Sequence, residues 1–262
     1  MFRITNNYIS GNGGSYGGGI RVGTAFLTIP GGHDGSSHNT QLTISRNKLL
    51  YNGGFNLAGA IGLFGGSEEY VVDRNYICGN SCQEYGGGIS HFGRSNNGRI
   101  SNNLILWNRA VDEGGGIIIA SETLADTDGR NFSVFAGNVN IDDNVIQGCV
   151  SGDDGGAIRF LNVGLDDYYV RNNIITHNLA MHEGGGVSIN DSPFVHFTNN
   201  IVMNNMVSGT SLESDGTVYP AGLATAVLSQ VLLSYDKMID YPSTFSHPQD
   251  FTDNRKFPPV VP

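Results

Sequence analysis

Lysine is nearly missing from this 262-residue chain: it occurs at Lys48, Lys237 and Lys256 and nowhere else. With 24 acidic against 14 basic residues the formal charge is −10. Nothing resembles the basic stripe that follows a phosphate backbone, so nucleic acid is not an expected partner. Cysteine is equally sparse. Cys78, Cys82 and Cys149 fit neither a disulfide framework nor a zinc cluster. Cys78 and Cys82 could close a small loop, and an unpaired buried thiol fits each of them as well. No apolar run approaches the length of a membrane span, and no signal peptide opens the chain. A repeat begins almost at once, at FRITNNYI, so we expect a longer parent protein with an upstream part.

What the chain has in quantity is glycine, 38 residues of it. Much of it falls in near-copies of one motif: YGGGI (Tyr16 to Ile20), LAGAI (Leu57 to Ile61), YGGGI (Tyr85 to Ile89), EGGGI (Glu113 to Ile117), DGGAI (Asp154 to Ile158) and EGGGV (Glu183 to Val187), with a degenerate PAGL at Pro220 to Leu223. The closing apolar residues are separated by steps of 41, 28, 28, 41 and 29. A period of this size with occasional longer steps indicates a stacked-repeat architecture, and disorder is the poorer explanation of the glycine.

A second ladder runs beside the first. Each unit carries N-x4-N: Asn7/Asn12, Asn47/Asn52, Asn75/Asn80, Asn103/Asn108, Asn173/Asn178 and Asn200/Asn205; the fifth breaks it, pairing Asn144 with Cys149. Apolar residues alternate over three to five positions around these asparagines, as in RISNNLILWN, and such runs are short strands. Each unit offers three: before the Asn pair, inside it, and at GGGI. An inward Asn at one corner of every rung can satisfy polar groups that the corner would otherwise bury. Three short parallel strands per coil with an Asn stack resemble the right-handed parallel β-helix of the pectate-lyase-like superfamily over residues 3 to 226. The GGGI and NN-x-I runs also resemble uncharacterised bacterial β-helix repeat proteins. The expected architecture is all-β: a parallel β-helix of about seven rungs over 1–228, followed by an irregular tail (229–262) that covers the end of the coil. From the fold, the resemblance implies a polysaccharide partner and an extracellular or cell-surface location.

The long steps place insertions at about Phe26 to Gln41, with His33 and His38, and at about Ser121 to Asn138, both directly after a GGGI strand. Between them the corners GGSEE (Gly65 to Glu69) and GRSNNG (Gly93 to Gly98) are short, which suggests a trough walled by two loops. After Asn205 the pattern decays, and AGLATAV is expected to form the last GGGI-type strand.

If the closing Ile of each motif points inward, strand alternation puts Gly19, Ala60, Gly88, Gly116, Ala157 and Gly186 outside as a bare floor, and Arg21, Gly62, Ser90, Ile118, Arg159 and Ser188 outside as a second column. At the corner leading into the strand, three successive rungs present Asp112-Glu113, Asp153-Asp154 and His182-Glu183. Carboxylates one rung apart can lie about 5 Å apart and those two rungs apart about 10 Å. These separations bracket those used by retaining and inverting glycosidases. Glu113, Asp154, Glu183, Asp153 and His182 are therefore the candidate catalytic residues. Arg159, Ser188, Tyr85, Tyr16 and His91 are the candidates for holding substrate. Calcium on Asp112 and Asp153, with no cofactor otherwise required, and a plain solvated acidic corner fit the same residues. Trp107 is expected to pack a corner.

The polygalacturonase-like hydrolases use three aspartates with a nearby His, Arg and Lys. Asp153, Asp154, His182 and Arg159 resemble that set loosely, but the family's NTD, GHG and RIK strings are absent, as are pectate-lyase contexts. Hydrolysis of a polysaccharide is favoured over lysis. A non-catalytic carbohydrate-binding module and a structural or adhesin-like surface β-helix are the alternatives.

Overall fold

The computed structural model describes residues 2–23, 37–121, 136–190 and 192–208, together with the backbone strands Thr210–Leu212, Val218–Pro220 and Val231–Ser234. The His33 loop, most of the second insertion, the AGLATAV segment and most of the tail lie outside the described residues.

The chain coils into a right-handed parallel β-helix, the hand that parallel crossovers adopt. Seven rungs build four parallel sheets of seven strands each. In the first rung the four strands are Phe2–Thr5, Tyr8–Ser10, Gly13–Gly14 and Ile20–Val22; we number the sheets 1 to 4 in that order. The expected three strands are sheets 1, 2 and 4. Sheet 3 is a two-residue ladder between the second Asn and the GGGI motif. Rungs stack in strict register, Ile61 on Ile89 on Ile117 on Ile158 on Val187 in sheet 4. Its seventh strand is Val231–Ser234, paired with Val187–Asn190 and lying inside the segment assigned to the tail. An antiparallel pair, Thr210–Leu212 with Val218–Pro220, precedes it.

The core is a stack of aliphatic side chains, including Ile44, Leu49, Ile77, Ile105, Ile117, Ile146 and Ile175, all fully buried. The corners are held by the asparagines. Asn7, Asn47, Asn75, Asn103, Asn144, Asn173 and Asn200 form one continuous column in which each Nδ2 donates to the next Oδ1 at 2.9–3.0 Å. Each Oδ1 also accepts the backbone N–H of the preceding Asn, and Nδ2 donates a second bond to a carbonyl one rung back, as Asn103 does to Val72 at 2.9 Å. The second column runs Asn12, Asn52, Asn80, Asn108, Cys149, Asn178, Asn205 and is intact except at Cys149, where Asn108 Nδ2 meets Sγ at 4.0 Å in place of an amide oxygen while keeping its bond to the Ile77 carbonyl. The three cysteines are free thiols.

The residue before each ladder position is left-handed. At the first corner it is Asn6, Arg46, Arg74, Asn102, Asp143, Asn172 or Asn199, with φ between 54° and 59°. Asn and Asp tolerate that region best.

Asn103→Ala should destabilise the coil by about 1–3 kcal/mol, because Asn75 and Asn144 both lose a buried partner. Cys149→Asn should do the opposite, raising the denaturant midpoint by completing the second column, with a gain of about 1 kcal/mol. An unchanged or lower midpoint for Cys149→Asn would show that the column is not additive across that rung.

Candidate functional site

In five of the first six rungs the GGGI motif opens with a positive-φ glycine, of which Gly114 (69°), Gly155 (66°) and Gly184 (58°) serve the acidic rungs; Ala58 takes the place in the second. The turn folds the preceding side chain back over the outer face of its own strand. A Cβ on Gly114 would stand 2.8 Å from Cβ of Ile118, and one on Gly155 would stand 2.8 Å from Cβ of Arg159. The outer face of sheet 4 is thus covered by the column Tyr16, Leu57, Tyr85, Glu113, Asp154, Glu183.

The two halves of that face differ. Over the early rungs Leu57, Phe64, Phe92, Ile118 and Ala120 form a second apolar cluster outside the coil, with Tyr16 and Tyr85 packed against it. Over the later rungs the cover is charged. Arg159, 3% exposed, donates from Nη2 to Glu113 Oε1 at 3.0 Å, pairs through the same Nη2 with Asp154 Oδ2 at 3.1 Å, and donates from Nη1 to Ser188 Oγ at 2.5 Å. His182 Nδ1 lies 3.1 Å from Asp154 Oδ1 and 3.2 Å from Asp153 Oδ1. Main-chain bonds stack the corner itself, Asp153 N–H to the Asp112 carbonyl at 2.9 Å and His182 N–H to the Asp153 carbonyl at 3.1 Å.

Two corrections follow. The column Gly19, Ala60, Gly88, Gly116, Ala157, Gly186 is no outer floor. A Cβ on Gly88 would face Ile105 and Asn108 at 3.3 Å, and Ala60 and Ala157 belong to the core. Two successive residues point inward where the chain turns into sheet 4, so the alternation on which the floor rested breaks there. His91 is not on a substrate face either. It points inward, 0% exposed; its Nδ1 accepts from Tyr70 O–H and its Nε2–H donates to the Ala136 carbonyl, each at 2.8 Å, and burial lowers its pKa to about 4. The short corners expected to floor a trough stack on one another, Gly66 N–H to the Arg94 carbonyl and Glu69 N–H to the Asn96 carbonyl. Most of the two loops expected to wall it lies outside the described residues.

Of the remaining candidates, Glu113, Asp154, Glu183, Asp153, His182, Arg159 and Ser188 come together in one cluster. Tyr85 adjoins Glu113 on the previous rung and stacks on Phe92 with ring centroids 6.2 Å apart. Tyr16 sits two rungs further away, under the guanidinium of Arg21 at 5.7 Å. Asp112 is buried on the same corner, but the ligand atoms that converge within 4.8 Å are those of Asp153, Asp154 and His182. Trp107, expected to pack a corner, is 61% exposed. Sequence reasoning missed that this cluster is an extension of an apolar outer layer, because Phe64 and Phe92 read as ordinary strand residues.

Arg159 and His182 bring two positive charges to four carboxyl groups. Burial raises Glu113 to about 7, against the pull of Arg159, with Asp154 and Asp153 pushing the same way as burial. Burial and the neighbouring Asp154 raise Glu183 to about 8. Asp154 is the opposite case: burial favours its proton, but Arg159 and His182 outweigh that and depress its pKa. His182 would be lowered by burial, yet its bonds to Asp153 and Asp154 raise it to about 11. At neutral pH Asp154 is therefore ionised between cations, Glu183 keeps most of its proton, and Glu113 stands near its midpoint. Glu113 Oε2, Glu183 Oε1 and Arg159 Nε are buried without a hydrogen-bond partner among the described residues. No family model, curated protein or solved structure matches the chain.

Linkage gives the sign of a pH test. The unfolded chain releases the Glu113 and Glu183 protons at the ordinary carboxyl value, well before the folded chain does. Their contribution is complete below about pH 4.5 and is lost as pH rises through about 7 and 8. His182 adds loss in the same direction above about 6.5, while Asp154 withdraws its contribution only in acid. The melting temperature should be higher near pH 5 than near pH 8.5, and Glu113→Gln with Glu183→Gln should flatten the difference. A melting temperature that climbs over that interval would contradict the protonated pair.

Proposed function

We propose that this β-helix is carbohydrate-active and hydrolyses glycosidic bonds in an extended polysaccharide at the charged half of its sheet 4 face. The observation that carries the reading is the split protonation of two carboxyl groups on one guanidinium: Glu113 holds its proton to about pH 7 while Asp154 is held ionised. A general acid and a nucleophile need that division. Both oxygens lie against the same Nη2 on adjacent rungs, which supports the separation of about 5–5.5 Å found in retaining enzymes.

Glu113 would pass its proton to the glycosidic oxygen as the bond to the anomeric carbon breaks, and an Asp154 oxygen would bond to that carbon. Water would then displace Asp154, giving one proton to the Glu113 carboxylate and leaving its hydroxyl on the sugar. Arg159 positions both groups, and Tyr85 lies where a neighbouring sugar ring would stack. Glu183, two rungs from Glu113, stands at the wider spacing of an inverting pair.

Asp154→Asn keeps shape and removes the nucleophile. Against a polysaccharide panel it should lower product release by about a thousandfold or more while binding persists, and the parent protein should release product with the anomeric configuration retained. No product from any panel member would leave the non-catalytic binding or structural role. The convergence of Asp153, Asp154 and His182 supports a second reading, a calcium site at the same corner. On that reading a chelator lowers the melting temperature and calcium restores it; an unchanged melting curve removes it.

A further inference from the structure

The corner between sheets 2 and 3 carries a second ordered feature, on a different side of the coil from the carboxylates. The residue before the second ladder position is left-handed in every rung, and over six rungs its identity alternates. Gly11, Gly79 and Gly148 occupy the odd rungs; Tyr51, Trp107 and His177 occupy the even ones. Glycine is what such a backbone prefers. The corner imposes φ 53° on a tyrosine and φ 55° on the chain's only tryptophan, where glycine would sit without strain.

Neither ring is used by the core. Tyr51 is 69% exposed and Trp107 is 61% exposed. A Cβ on Gly79 would meet Tyr51 Cε1 at 2.7 Å and Cδ1 at 2.8 Å, and one on Gly148 would meet Trp107 Cε3, Cδ2 and Cζ3 at 2.5–2.8 Å. Each ring therefore lies across the glycine of the following rung, one side on main chain and the other toward solvent. The glycines are the seats that let the rings lie down. The ring-to-ring repeat is two rungs, about 9.6 Å. Sheet 2 continues the surface with exposed Tyr8, Leu104 and Ile174 in its outward column.

We infer that this corner binds an extended β-1,4-linked polysaccharide lying along the coil axis, with a sugar ring on each aromatic ring. In such a polymer successive sugars are turned over, so the same apolar ring face recurs with every second sugar, and that disaccharide repeat is close to the two-rung spacing of about 9.6 Å. A folded protein partner has no cause to repeat every second rung; a polymer has. Aromatic faces supply broad apolar contact to the axial C–H groups of equatorially substituted sugars. His177, exposed and bonded through Nδ1 to Thr176 Oγ1 at 2.7 Å, extends the series with a polar ring. The inference is independent of hydrolysis at Glu113 and Asp154.

Trp107 reports on the site directly, since no other tryptophan is present. With Asp154→Asn as the background, to prevent turnover, cellohexaose or chitohexaose should shift the tryptophan emission saturably. The full chain should also sediment with crystalline cellulose or chitin. Tyr51→Gly suits the backbone and keeps the fold, so its melting temperature should be equal or higher while hexasaccharide affinity falls about tenfold. Trp107→Gly should abolish sedimentation. No saturable emission change with either sugar at millimolar concentration overturns the inference, and so does an affinity that Tyr51→Gly leaves intact. A dimer that both glycine variants dissolve, without sugar binding, would overturn it in favour of self-association.

Discussion

Everything in this molecule depends on the in-register stacking of one rung on the next. Parallel ladders fix that separation at about 4.8 Å, and every side chain inherits neighbours above and below at the same spacing. The constraint is severe at corners, where main-chain groups turn away from the sheets. Asparagine solves it because one amide can accept from the rung before, donate to the rung after and still reach a carbonyl, as Asn75 does with Asn47, Asn103 and Ile44. A hydrophobic residue there would leave those groups buried and unpaired. Cys149 marks the one place in the described columns where the solution lapses, and burial pushes its thiol up to about 12, so it stays a neutral filler.

The same spacing explains the charged cluster. Placing Glu113, Asp154 and Glu183 at one repeat position forces three carboxyl groups into a line at rung separation, each folded down and buried against the outer face of sheet 4. Left alone they would repel. Arg159, directly after the closing Ile158 of its own motif, and His182 on the corner supply countercharge to part of the line, and protons supply the rest. Removing Arg159's partners from water is costly, and such pairs are weak evidence for stability. Other rungs cover the same face with Tyr16, Leu57 and Tyr85, so the fold does not itself require charge at this position.

How much of this was legible in the sequence depends on whether a structural rule repeats with one residue type. The Asn columns and the GGGI ladder were legible because each rung solves the same problem with the same side chain. Sheet 3 was not, because a two-residue strand has no periodicity and its members (Gly13–Gly14, Ser81–Cys82, Arg109–Ala110, Met206–Val207) share no chemistry. The orientation of Gly88 and Gly116 was misread because alternation holds within a strand and fails at the turn that begins it. The left-handed corner was hidden by Arg46, Arg74, Tyr51 and Trp107, none of which announces positive φ. The acidic residues themselves were named correctly as a group, yet that they fold over an apolar outer layer follows only from the turn geometry at Gly114, Gly155 and Gly184.

A solenoid lets one lattice serve two distances. One rung brings unlike charges into hydrogen-bond reach and forces like charges to share protons, which is the scale of acid–base chemistry. Two rungs, about 9.6 Å, exceed any single hydrogen bond and match instead the repeat of an extended polymer. The short distance operates on sheet 4, where the charged side chains are buried together; the long one separates Tyr51 from Trp107 at the corner between sheets 2 and 3, where glycine on the intervening rungs lies against the rings. A single insertion within a rung would leave both spacings intact, because register is set by the ladders and not by loop length. The two 41-residue steps show this directly: Ile20 still pairs with Ile61, and Ile117 still pairs with Ile158. Loops can therefore vary over such a coil while the positions that hold charge and the positions that hold rings stay fixed.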